Sequence, residues 1–147
     1  MKLYFDSCCY GRPYDDLTDL DIATDAAAIM KITTLARTYG GIIFGSLANE
    51  KEINANPEES TRADALRLYN RTITVRADYV GEVFTHFAPL ARAAGVEGYD
   101  VYHLCYAIAA GVDYLLTVDK KFLKKAARLD LPLKVINPIN FPVGGAI

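Results

Sequence analysis

At 147 residues, 52% apolar and 23% charged, the chain suits one domain around one hydrophobic core and excludes a disordered tail or low-complexity tract. A formal net charge of −2 excludes a broadly basic coat, so any nucleic-acid contact must come from a local patch or from metal. No apolar stretch reaches the roughly 18 residues of a membrane span, and Asp6 cuts the opening apolar run too early for a secretory leader, so a cytoplasmic protein without membrane contact is expected.

Residues 2–5 form a short strand candidate ending at Asp6. Residues 9–21 read as a loop, with Gly11, Pro13 and several aspartates. Ile22, Ala26, Ile29, Thr33 and Ala36 then recur with helical spacing, and Gly40-Gly41 stop that helix. Residues 42–45 are a continuous apolar run, as in a strand buried on both faces. Ser46 suits the N-cap of a helix carrying Glu50. Pro57 and Glu58 open another helix, and residues 73–76 suit an edge strand. Asp78 is expected to cap a helix with Val80, Val83, Phe84 and Phe87 on one stripe, which Pro89 should kink or restart. Asp100 opens a helix whose Val101, Leu104, Cys105 and Ile108 face the core, and Gly111 ends it. Residues 114–118 form a strand, followed at once by Asp119. Residues 120–128 form a basic helix and residues 133–136 a last strand.

This alternation predicts an α/β fold: a central parallel β-sheet with α-helices on both faces, one domain over residues 1–147. In such sheets ligands bind beyond the carboxyl ends of the strands. Four acids fall there: Asp6 after the first strand, Glu50 on the helix after the second, Asp100 at a helix start and Asp119 after the strand at 114–118. Carboxylates converging in one cleft repel one another and call for a cation. Oxygen donors select Mg²⁺ or Mn²⁺ over zinc, and such a metal can activate water against a phosphodiester. Helix capping alone also explains each acid taken singly.

Four segments carry a resemblance. Leu3-Tyr4-Phe5-Asp6-Ser7 looks like the strand-Asp-Ser/Thr opening of PIN domains, and Gly45-Ser46-Leu47-Ala48-Asn49-Glu50 resembles their second-strand Ser with a helical Glu. Gly98-Tyr99-Asp100-Val101-Tyr102-His103-Leu104-Cys105-Tyr106-Ala107 is similar to their Asp-x-x-His-Leu-x-x-Ala helix. Residues 111–122, from Gly111 through Thr117-Val118-Asp119 to Phe122, resemble their closing strand and Thr-x-Asp-x-x-Phe. The resemblance implies a PIN-like fold with Asp6, Glu50, Asp100 and Asp119 as catalytic metal ligands. It also implies a metal-dependent endoribonuclease, often the toxin of a toxin–antitoxin pair. The loop over residues 8–16 is longer and more acidic than the commonest toxin pattern, and residues 58–76 align poorly.

Ser7, Asn49 and Thr117 flank the ligand candidates and could support them by hydrogen bonds, although ordinary strand and helix roles fit them too. Arg12, Lys120 and Lys121 could meet substrate phosphate, with Lys124, Lys125 and Arg128 continuing the basic helix. His103 reads as a helix-surface or interface histidine, and Asp113 as a turn residue. Tyr10, Tyr14, Tyr99, Tyr102 and Tyr106 could stack on unpaired bases of single-stranded or structured RNA, or line a homodimer interface. Cys8, Cys9 and Cys105 are a poor disulfide or zinc set. The competing readings are a PIN-like RNA- or protein-binding module without catalysis and a different metal-dependent phosphohydrolase. The second is weakened because Asp6 is followed by Ser7-Cys8 and not by x-Asp.

Overall fold

The computed structural model describes residues 1–142; residues 143–147 of the expected domain lie outside the described residues. Strands β1 (Lys2–Phe5), β2 (Ile42–Ser46), β3 (Val75–Ala77), β4 (Tyr114–Leu116) and β5 (Lys134–Ile136) form one sheet in the order β3-β2-β1-β4-β5. Every pairing in it is parallel. The helices are α1 (Ser7–Gly11), α2 (Leu20–Tyr39), α3 (Leu47–Asn54), α4 (Glu59–Thr72), α5 (Gly81–Ala93), α6 (Tyr99–Ala110) and α7 (Lys120–Ala126). The expected α/β class is borne out.

Strand alternation splits the core in two. Leu3 and Phe5 point into a cluster with Cys9, Ile29, Ile32, Leu68 and Tyr69 from α1, α2 and α4. Tyr4 points the other way, toward Ala91, Leu104, Ala107 and Phe122 from α5, α6 and α7. Both sheet faces are therefore covered, which is why the central strands read as unbroken apolar runs. Burying each large apolar side chain contributes roughly 1.5–3 kcal/mol. Gly40 (φ 74°) and Gly111 (φ 67°) end α2 and α6, at the stops expected from the sequence, in the left-handed conformation that glycine adopts readily.

Three local expectations need correction. The loop expected over residues 9–21 is largely helical: α1 starts at Ser7 and is followed by a 3-10 turn, Arg12–Tyr14. Burial of Cys9 and Tyr10 against the sheet overrides their weak helix preference. Asp78 does not cap α5. It pairs with Arg76, and Val80 holds the N-cap position without a side-chain bond. Pro89 does not restart a helix, because α5 runs through it. Pro89 and Thr85 are both exposed, so water can satisfy the Thr85 carbonyl that the proline leaves unpaired.

From β1 the chain moves to β2 and β3 on one side; from β4 it moves to β5 on the other. The connections thus part between β1 and β4, and a crevice opens beyond their carboxyl ends.

Candidate metal centre

Asp6 sits at that parting. Its backbone is extended, its N–H donates to the Leu116 carbonyl at 2.8 Å, and its side chain is 3% exposed. Its Oδ2 accepts from Thr117 Oγ1 at 2.7 Å and from Cys8 Sγ at 3.3 Å. Thr117 Oγ1 in turn accepts from the Asp119 N–H at 3.1 Å, so one hydroxyl ties the ends of β1 and β4 together. Asp119 caps α7: its Oδ1 accepts from the N–H groups of Lys121 and Phe122 at 2.9 and 3.2 Å. Its Oδ2 has no hydrogen-bond partner among the described residues. Asp100 lies in the first turn of α6.

Asp6, Asp100 and Asp119 line one cleft of about 350 Å³, and two further carboxylates, Glu52 and Asp15, stand in its wall. Glu50, expected in that place, points away. It accepts from Tyr69 Oη at 2.7 Å and from Arg76 Nε and Nη2 at 2.7 and 3.2 Å. Two residues on a helix turn the side chain by about 200°, so Glu50 and Glu52 cannot share a face of α3. The buried residues of α3 include Ala48, Asn49 and Ile53, and Glu52 continues that stripe. This periodicity is the sequence signal that separates the two glutamates.

His103 also departs from expectation. It is fully buried, not on a helix surface or an interface. Nδ1 lies 2.7 Å from Tyr4 Oη, itself 2.6 Å from Ser46 Oγ. Nε2 lies 3.0 Å from Glu52 Oε1 and 3.3 Å from Asp6 Oδ1. With Tyr4 donating to Nδ1, a neutral imidazole presents its Nε2–H to both carboxylates. One ligand atom from each of Asp6, Asp100 and His103 falls within 4.8 Å of the other two.

The electrostatics follow from this crowding. Burial, then the neighbouring Asp6 charge, pushes the Asp100 pKa up to about 7. Burial alone would lower the His103 pKa, but Asp6 and the Glu52 hydrogen bond carry it net upward. Burial would raise that of Glu52, yet the His103 hydrogen bond and charge bring it below the usual glutamate value. The Arg76 hydrogen bond holds that of Glu50 low. A carboxylate that reaches ionisation only near neutrality, beside three others, marks a cleft short of positive charge.

The remaining candidates are placed as follows. Asn49 Nδ2 donates to the Phe5 carbonyl at 3.0 Å and to Ser7 Oγ at 3.1 Å, and Ser7 Oγ lies 3.4 Å from His103 Nε2. Arg12 lines the cleft. Lys120 and Lys121 are exposed on the first turn of α7, outside the cleft wall. Tyr10 and Tyr106 are buried in the two cores and unavailable for stacking; Tyr10 packs edge-on against Phe5 and Tyr69. Asp113 has the turn role expected: Oδ2 accepts from the Lys2 N–H at 2.8 Å.

No protein-family model matches the chain, and no curated protein sequence does. Among solved structures, it is similar to a chain of VapBC2 from Rickettsia felis bound to a DNA fragment from its promoter. The TM-score is 0.62 at 14% identity, over 93% of this chain and 98% of that one. The likeness is one of fold. The chain has a PIN-like fold, and the resemblance read from the sequence is borne out at that level.

Proposed function

We propose that the chain is a metal-dependent endoribonuclease of PIN type, a hydrolase of RNA phosphodiester bonds, with Asp6, Glu52, Asp100 and Asp119 as cation ligands. The observation that carries this reading is the convergence of these four carboxylates, with Asp15 as a fifth in the wall, in one cleft at the parting of the sheet connections. Glu52 takes the part expected of Glu50, whose oxygens are occupied by Tyr69 and Arg76.

The donor set fits Mg²⁺ or Mn²⁺: carboxylate oxygens dominate, and a cation would offset both the burial and the Asp6 charge that raise the Asp100 pKa. Such an ion, when bound, neutralises the carboxylates, activates water and stabilises charge on the cleaved phosphodiester. The chain's own residues hold that arrangement. Thr117 fixes Asp6, His103 orients Glu52, and Asn49 anchors Ser7 beside them. Asp119 keeps Oδ2 turned from its capping role. Arg12 in the cleft and Lys120 and Lys121 on the α7 side are the cations placed to meet RNA. The fold likeness to a VapBC2 chain supports a cytoplasmic toxin held by an antitoxin protein, and exposed aromatic surface supports a homodimer.

The test is a single-stranded RNA cleavage assay with paired melting curves, with and without Mn²⁺, on wild type, Glu52→Gln and Glu50→Gln. The expected result is a Mn²⁺-dependent rise in wild-type melting temperature and cleavage, both lost in Glu52→Gln and kept in Glu50→Gln. A wild type that neither responds to Mn²⁺ nor cleaves RNA would overturn the nuclease reading in favour of a non-catalytic binding module.

A further inference from the structure

The cleft extends beyond its proposed cation ligands. Its wall continues between the end of α1 and the start of α4, where it is formed by Gly11, Arg12, Asp15, Asn56 and Thr61.

Gly11 has ordinary right-handed helical torsions (φ −86°, ψ −25°), so its backbone gives no reason for glycine. A Cβ built there meets nothing within 4 Å. The missing side chain therefore leaves open space in the cleft. Arg12 beside it is clamped, with Nη1 3.2 Å from Asp15 Oδ2 and Nε 3.5 Å from Asp25 Oδ2. Among the described residues, neither Arg12 Nη2 nor Asp15 Oδ1 has a hydrogen-bond partner, and Thr61 Oγ1 has none. Asn56 accepts the Glu58 N–H on Oδ1, which leaves Nδ2 to donate. A guanidinium and a carboxylate held side by side, with two further polar groups around open space, suit a planar base better than a phosphate.

We propose that this end of the cleft is a subsite for a guanine base of the substrate, adjoining the metal centre; this rests on the nuclease reading above. Guanine presents the acceptors O6 and N7 to an arginine, and its N1–H and N2–H₂ donors to a carboxylate. Adenine presents an amino group where guanine has O6 and so sets a donor against the Arg12 donors. A phosphate contact would ignore the base and would be repelled by Asp15.

The experiment measures binding of guanosine and adenosine 5′-monophosphates to wild type, Gly11→Leu and Asp15→Asn by calorimetry, alongside Mn²⁺ melting shifts and mapping of cleavage sites in a mixed-sequence RNA. The expected result is a preference of roughly tenfold for the guanosine nucleotide, the low end of what contacts to a base edge discriminate. Gly11→Leu should lose binding of both nucleotides while keeping the Mn²⁺ shift, and Asp15→Asn should narrow the preference. Cut sites should cluster beside guanosine. Equal or absent binding of the two nucleotides, unchanged binding in Gly11→Leu, or cleavage without base preference would each overturn the subsite and leave the nuclease reading standing. Guanosine-selective binding without Mn²⁺ response or cleavage would sustain the subsite and overturn the nuclease reading.

Discussion

Replacing Asp100 by Asn separates a helix-start residue from a member of a charged cluster. Asn keeps the size of Asp while removing one charge, and no capping bond is lost, because Gly98 holds the N-cap position and Asp100 is the second residue of α6. The Asp100 carboxyl titrates near 7 when folded, against roughly 3.9 in an unfolded chain. Between those values the folded protein binds more protons than the unfolded one. Stability from this group is therefore full below about pH 4 and is lost as pH rises toward 7. In chelator, the melting temperature of Asp100→Asn should gain on that of wild type between pH 5 and pH 8, by on the order of a few degrees. With saturating Mn²⁺ the order should reverse, because wild type gains more by mass action. A melting difference that stays flat with pH would reduce Asp100 to a helix-start residue. At this scale the sequence placed Asp6, Asp100 and Asp119 at the cleft they line, because each follows a strand or opens a helix with a clear apolar pattern. Glu52 and His103 were not disclosed. Their roles depend on which face of α3 and α6 meets β1, and the contact that decides it, Tyr4 Oη to His103 Nδ1, joins residues 99 positions apart.

Among elements, the approach of α4 to β2 is the tightest. A Cβ at Gly45 would lie 2.7 Å from Tyr69 Cε2 and 2.8 Å from Ile73 Cγ2. The glycine thus lets the Tyr69 ring lie on the strand and hold Glu50 away from the cleft. Gly45→Ala should cost about 1–3 kcal/mol by overpacking, read from urea unfolding. The Mn²⁺ melting shift should persist, since Glu52 stands on the other side of α3. Loss of that shift would instead place Glu50 or Tyr69 in the metal site. The strands were legible because both sheet faces are covered, which leaves residues 3–5, 42–45 and 114–116 as unbroken runs without a charged or polar-amide side chain. Helix α1 was not, since five residues carry too little periodicity and its formation depends on burying Cys9 and Tyr10 under α4.

For the whole molecule, the outer face of α5 and α6, with Tyr79 just before α5, exposes aromatic and apolar surface that suits a partner. Phe84 stacks on Tyr102 at 5.0 Å, Arg92 lies over Phe84, and Tyr79 and Leu90 are 75% and 49% exposed. Light scattering at high micromolar concentration should give twice the chain mass, and Leu90→Ser with Tyr102→Ser should return the monomer. A wild type that stays monomeric there removes the homodimer. The central position of β1 has a consequence in time. Thr117 and Asp6 are 111 residues apart, yet their hydrogen bond joins the two halves of the carboxylate cleft. At roughly 5–20 residues per second, synthesis takes on the order of 5–20 s to pass from one to the other. During that interval β1 has no complete β4 beside it, and the growing chain holds Asp6 without Asp119, for most of it without Asp100 as well. A nascent copy on the ribosome, surrounded by RNA, has not yet assembled the cluster on which the proposed cleavage depends.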